Sequence, residues 1–124
     1  MPVRVRELAA GEKLTRFLDV AWHINASDPC WVPPLRRDVK ELLDRRKHPF
    51  HQHAEVAYFL AERDGRAAGR IAAIVNFRHN EFHGERTGFF GFFECQEDRD
   101  ASAALVDAAR DWLRPRGLDR LRAP

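Results

Sequence analysis

Apolar and polar positions change period in a regular order along this chain, and that order predicts its elements. Val3–Leu8 alternates valine with arginine before Leu8, the two-residue period of a short strand with one polar face. From Gly11 the period lengthens: Leu14, Phe17, Leu18, Ala21 and Trp22 form one helical stripe. That helix ends near Asn25–Ser27, because Asp28-Pro29 cannot continue it. Cys30–Leu35 is held extended by Pro33 and Pro34, and a second helix over Leu35–Asp44 places Leu35, Val39, Leu42 and Leu43 on one face. Pro49 stops anything helical beyond it, which leaves Arg45–His53 as a basic, histidine-rich loop.

The period then shortens again. Glu55–Arg63 is apolar on both faces, as a covered strand requires. Asp64-Gly65 suits a type I′ hairpin, after which Ala67–Asn76 returns antiparallel. A polar connection over Arg78–Glu85 leads to a third strand of this meander, Arg86–Cys95. Its four phenylalanines, Phe89, Phe90, Phe92 and Phe93, lie on both faces and predict a central position covered from both sides. Gly88 and Gly91 mark a bulge or the close approach of another group. Glu97, Asp98 and Asp100 precede a helix with Leu105, Ala108, Ala109, Trp112 and Leu113 on one stripe, ended by Pro115 and Gly117. Leu118–Leu121 begins a last strand. The predicted class is α+β, in the order β-α-α-β-β-β-α-β: a mixed, mostly antiparallel sheet flanked by helices.

Length and charge narrow the possibilities. At 124 residues and 44% apolar, residues 1–124 make a single domain with a core of its own. Two cysteines, Cys30 and Cys95, form no disulfide framework and suit a reducing cytoplasm. The longest clean apolar run, Ile71–Val75, is too short to span a bilayer, so a cytoplasmic protein without a membrane partner is expected. The cations between Arg36 and Lys47 alternate with Asp38, Glu41 and Asp44, predicting helical pairs such as Arg37–Glu41 and Lys40–Asp44 and arguing against nucleic acid. His48, His51, His53, His79 and His83 have no recognised metal-ligand spacing, so no metal is expected.

The phrases DPCWVPPL (28–35), HPFHQHAEV (48–56), FLAERDG (59–65), GRIAAIVNFRHNEFH (69–83) and GFFGFFE (88–94) resemble a group of bacterial proteins of the GNAT N-acetyltransferase superfamily, over roughly residues 3–123. The resemblance implies acetyl-CoA as co-substrate, an amine acceptor (small molecule or peptide), and a cofactor site at the Phe-rich strand and the helix after it. There, backbone N–H groups at a helix N-terminus receive the pyrophosphate. The implied cofactor-binding residues are Phe93, Glu94, Cys95, Gln96, Arg99 and Ala101. Arg99 stands where the family pattern has glycine. Candidate general bases are Glu94, Glu85 and His83. Cys95 has two readings, a nucleophile activated by the helix start or a buried strand thiol. The superfamily domain continues with a helix and two strands beyond the fifth strand, so this chain reads as a partial GNAT fold. An incompletely covered sheet edge predicts a homodimer. The alternative is a GNAT-like interaction or dimerisation module without catalysis.

Overall fold

The computed structural model describes residues 2–9 and 11–123. Five strands, β1 (Arg4–Glu7), β2 (Ala54–Arg63), β3 (Arg66–Asn76), β4 (Thr87–Cys95) and β5 (Arg120–Arg122), form one sheet in the order β1-β2-β3-β4-β5. The pairings are antiparallel except β4 with β5, which is parallel. Helices α1 (Thr15–Asn25), α2 (Arg36–Leu43), α3 (Phe77–His83) and α4 (Arg99–Leu113) complete the domain. The α+β class and mixed sheet match the pattern-based expectation, with one helix more.

The additional helix is α3, in the stretch expected to be a polar connection. Its signals are local. The Asn76 side chain accepts the His79 N–H at 3.0 Å, and Gly84 closes the helix with φ +64°. Asn80 then bridges to β4, donating to the Thr87 carbonyl at 3.0 Å and accepting its N–H at 3.2 Å. A second departure lies at Pro49, which opens a short 3₁₀ turn, Pro49–Gln52, instead of stopping helical structure. Proline is tolerated there because the first turn needs no N–H from it.

The sheet has two unlike faces. Against α4 it presents small residues, Ala57, Ala61, Ala68 and Ala73, with Phe59 and Ile71 among them. Ala101, Leu105, Ala109 and Leu113 of α4 close on that face. Close approach is needed: a Cβ on Gly69 would lie 2.8 Å from Leu105 Cδ1 and 2.9 Å from the Glu94 carbonyl, and one on Gly88 2.8 Å from Leu113 Cδ1. The opposite face carries Tyr58, Leu60 and Ala72 against Phe17, Leu18 and Val20 of α1 and Leu43 of α2. Tyr58 donates to the Leu43 carbonyl at 2.8 Å, and burial pushes its phenol up to about 12.

Three sequence-based placements are corrected. The middle strand is β3, not β4, and none of the β4 phenylalanines is fully buried; Phe93 is 40% exposed. Phenylalanine on both faces thus marked a strand half-covered on each side. The Asp64-Gly65 turn is as predicted, with φ +54° and +76° at its two central residues. On α2 neither Arg37–Glu41 nor Lys40–Asp44 pairs among the described residues; Arg36 instead reaches across to Asp19 of α1. β5 begins at Arg120, two residues later than expected, because Leu118 packs under α4.

Candidate active site

The site begins with a miscount between two strands. Along β3, Arg70 and Ala72 are two residues apart; their partners on β4, Glu94 and Gly91, are three apart. The surplus residue makes a β-bulge, as the glycine-bearing strand suggested. The residue forced to φ +53° is Phe92, not a glycine. Such a conformation costs a bulky side chain about 1–3 kcal/mol, so its surroundings must hold it.

Arg70 does the holding. Only 6% exposed, it donates from Nε to the Phe92 carbonyl at 2.9 Å. Its Nη1 donates to the carbonyls of Phe17 at 2.9 Å and Leu18 at 3.4 Å. The guanidinium also lies over the Phe17 ring, 5.1 Å from its centroid. Desolvation lowers the guanidinium's pKa, with the negative charge of Glu94 opposing. Arginine keeps its charge under such a shift, so one buried cation ties the bulge to α1.

On its other side β4 is only partly paired. β5 pairs with β4 only over Thr87–Phe89, against Arg120–Arg122. From Phe90 to Cys95 the outer edge of β4 has no partner strand among the described residues. Along that edge the backbone is open to a ligand, and any N–H groups it presents could polarise a carbonyl lying alongside.

The residues assigned to the cofactor follow in order. Phe93 stands edge-on to Phe90 with ring centres 6.2 Å apart, and Glu94 is half-buried. Burial pushes the Cys95 thiol up, with Asp98 adding to the shift. It belongs to the fringe of the α4 core, which favours the buried-thiol reading over an activated nucleophile. The Gln96 N–H donates to the Ala68 carbonyl at 2.9 Å. Arg99 is exposed, and Ala101 is fully buried.

At the start of α4 the chain supplies an anion of its own. Asp98 is the helix cap, its Oδ1 accepting the Ala101 N–H at 3.1 Å. Arg63, at the end of β2, grips the same carboxylate from Nε at 2.8 Å and from Nη2 at 3.2 Å. Arg63 and the Ala101 N–H hold this carboxyl below the usual carboxylate range. The start of α4, which the resemblance assigns to a pyrophosphate, thus carries a carboxylate where a phosphate would seek N–H groups.

The three candidate bases do not converge. Glu94 stands at the far end of β4, in register with Arg70. Glu85 and His83 sit at the near end, beside His79. His79 Nε2 lies 3.0 Å from Glu85 Oε2, and Thr87 donates its hydroxyl to the same oxygen at 3.1 Å. The His79 ring is 4.5 Å from that of His83 and 4.9 Å from that of Phe89. The His79 contact, followed by that of Thr87, keeps the Glu85 carboxyl below its ordinary range. No cluster of three or more metal-ligating side chains occurs among the described residues.

Solved structures with the same arrangement decide the fold. A tandem GNAT protein from the clavulanic acid biosynthesis pathway superposes with a TM-score of 0.71 at 22% identity, covering 98% of this chain and 36% of that one. The fold is that of the GNAT superfamily. A predicted acetyltransferase from Clostridium acetobutylicum, solved with acetyl-CoA, superposes at a TM-score of 0.68 and 9% identity over 98% of this chain and 80% of its own. In sequence, the GNAT-fold chain is 39% identical over 106 residues to a bacterial ceramide synthase of Caulobacter vibrioides, and 32% identical over 120 residues to protein YghO of Escherichia coli. It spans 28% and 30% of the length of these curated relatives, while the matches cover 85% and 97% of the chain itself. No protein-family model matches it.

Proposed function

We propose that this chain is the cofactor-side part of an acyl-CoA-dependent N-acyltransferase, joining an acyl group from a thioester to an amine. The bulge at Phe92, with the open β4 edge beyond Phe89, carries the reading. The thioester carbonyl would lie along that edge; the amine attacks it, a carboxylate accepts the amine proton directly or through water, and the C–S bond breaks so that coenzyme A leaves as its thiol. Glu94, two residues past Phe92 and in register with Arg70, acts as the base beside the bulge. Glu85, paired with His79 and beside His83, is the base for an acceptor entering at the start of β4. Bound coenzyme A would supply the activated acyl group; Phe93, Glu94 and Cys95 would line its thioester arm, with Gln96, Arg99 and Ala101 towards its phosphates. The relative named as a ceramide synthase makes a long-chain amine a reasoned acceptor to test beside short ones.

One observation favours a second reading. The Asp98 carboxylate at the helix start opposes a phosphate there, as a module that works by association instead of catalysis would tolerate. Calorimetric titration with acetyl-CoA, together with a light-scattering mass, separates the two. Saturable binding is expected; no heat at millimolar cofactor, with a dimeric mass, would establish the association reading instead. Glu94→Gln should lower turnover roughly a hundredfold, with a far smaller effect on cofactor affinity.

A further inference from the structure

A cleft between α1 and α2 carries charge that the β4 chemistry does not use. Its volume is about 440 Å³, and Lys13, Arg36, Arg37 and Lys40 line it with no acid among them. Leu14 and Leu43 contribute apolar wall. Arg36 is engaged, paired with Asp19 and standing 4.5 Å from the Trp22 ring centre. Arg37 and Lys40 make no ion pair among the described residues. Residues 30–47 hold six cations against three acids, a net of +3 in a chain whose total is +2, and three of those cations, Arg36, Arg37 and Lys40, line the cleft.

The same surface is apolar at its edge. Val32 is 85% and Leu35 65% exposed, with Pro33 and Pro34 between them also exposed. Two prolines limit the loop's freedom, and Trp31 fastens it by packing edge-on against Trp22, ring centres 5.5 Å apart. A fixed loop that displays apolar side chains beside a cationic cleft matches the boundary between anionic headgroups and acyl chains. A soluble anion would have no use for Val32 and Leu35. A second copy of the chain, related by a two-fold axis, would set these cations against their own kind.

We infer that the α1–α2 cleft and the Val32–Leu35 loop form a docking surface for an anionic lipid bilayer. A headgroup phosphate sits among Lys13, Arg37 and Lys40, and Val32 and Leu35 enter the interface. Contact is peripheral, since no helix among the described residues is long and apolar enough to cross a membrane. The inference is independent of acyl transfer.

Sedimenting the chain with vesicles of phosphatidylcholine, alone or with about a third phosphatidylglycerol, tests it. Binding is expected only with the anionic lipid, and it should fall steeply as salt rises, a readout that needs no variant. Replacing Arg37 and Lys40 together by glutamine should weaken it roughly thirtyfold. Replacing Val32 and Leu35 together by serine should weaken it roughly tenfold. All four residues are exposed, so the thermal midpoint should hold. Equal binding to both vesicles, binding to neither, or wild-type binding by both variants would overturn the inference. So would saturable binding of inorganic phosphate without vesicle binding, or a dimer that the serine variant makes monomeric.

Discussion

The two faces of the sheet solve the packing problem in opposite ways. Against α4, alanines and two tightly approached glycines bring helix and sheet close, and the buried side chains of that cluster are all apolar. Against α1 and α2, larger side chains enclose Arg70, a cation whose hydrogen bonds all go to backbone carbonyls. The contrast separates support from function. A face made of small apolar residues gains stability from fit alone, whereas a buried cation is kept where it fixes a strained backbone. Here that backbone is the bulge.

Breaking the second face should cost most. Arg70→Met would leave the Phe92 carbonyl without its partner and cut the tie to the α1 carbonyls of Phe17 and Leu18, lowering stability by about 2–3 kcal/mol in urea unfolding. A loss under about 1 kcal/mol would mean that the bulge holds itself. The first face should then be sensitive by position. Gly69→Ala meets the Glu94 backbone and should cost about 2 kcal/mol; Gly88→Ala meets only the Leu113 side-chain tip, which can turn, and should cost less. Equal losses would show that the Leu113 side is as rigid as the backbone side.

Two smaller effects sharpen the contrast at the start of α4. Asp98→Asn keeps a capping side chain but removes its charge, so acetyl-CoA affinity by calorimetry should rise about tenfold. An unchanged affinity would show that the phosphates avoid this helix. The same carboxyl has a depressed pKa in the folded state. Its contribution to stability is therefore complete above the ordinary carboxylate range and is lost as pH falls through the folded-state value. Glu12, Asp44, Glu55 and Glu85 are depressed as well, so the thermal midpoint should drop below about pH 4, slightly less in Asp98→Asn than in the unaltered chain.

The features legible in the sequence were those written in neighbouring residues. The α4 stripe, the Asp64-Gly65 turn and a bulge near Gly91 all follow from local spacing. α3 was missed because FRHNEFH has no apolar stripe to bury; Asn76 before it and Gly84 after it were the available signal. Arg70 reads as an outward-facing strand position. That changes only once β3 is known to be central, with Ile71 and Ala72 both wholly covered. The Arg63–Asp98 grip joins residues 35 positions apart, and no local pattern announces it. His79, Glu85 and Thr87 were brought together by the helix that was missed.

The edge-on contact between Trp31 and Trp22 has an optical consequence. Both indoles are partly exposed and adjoin the proline loop, whereas the third tryptophan, Trp112, lies beneath Arg116 with the guanidinium carbon 3.6 Å from its ring centre. Any event that moves the loop from water into a less polar medium changes the emission of two of three fluorophores. The domain thus carries its own reporter at the surface where a partner would arrive, with no label required.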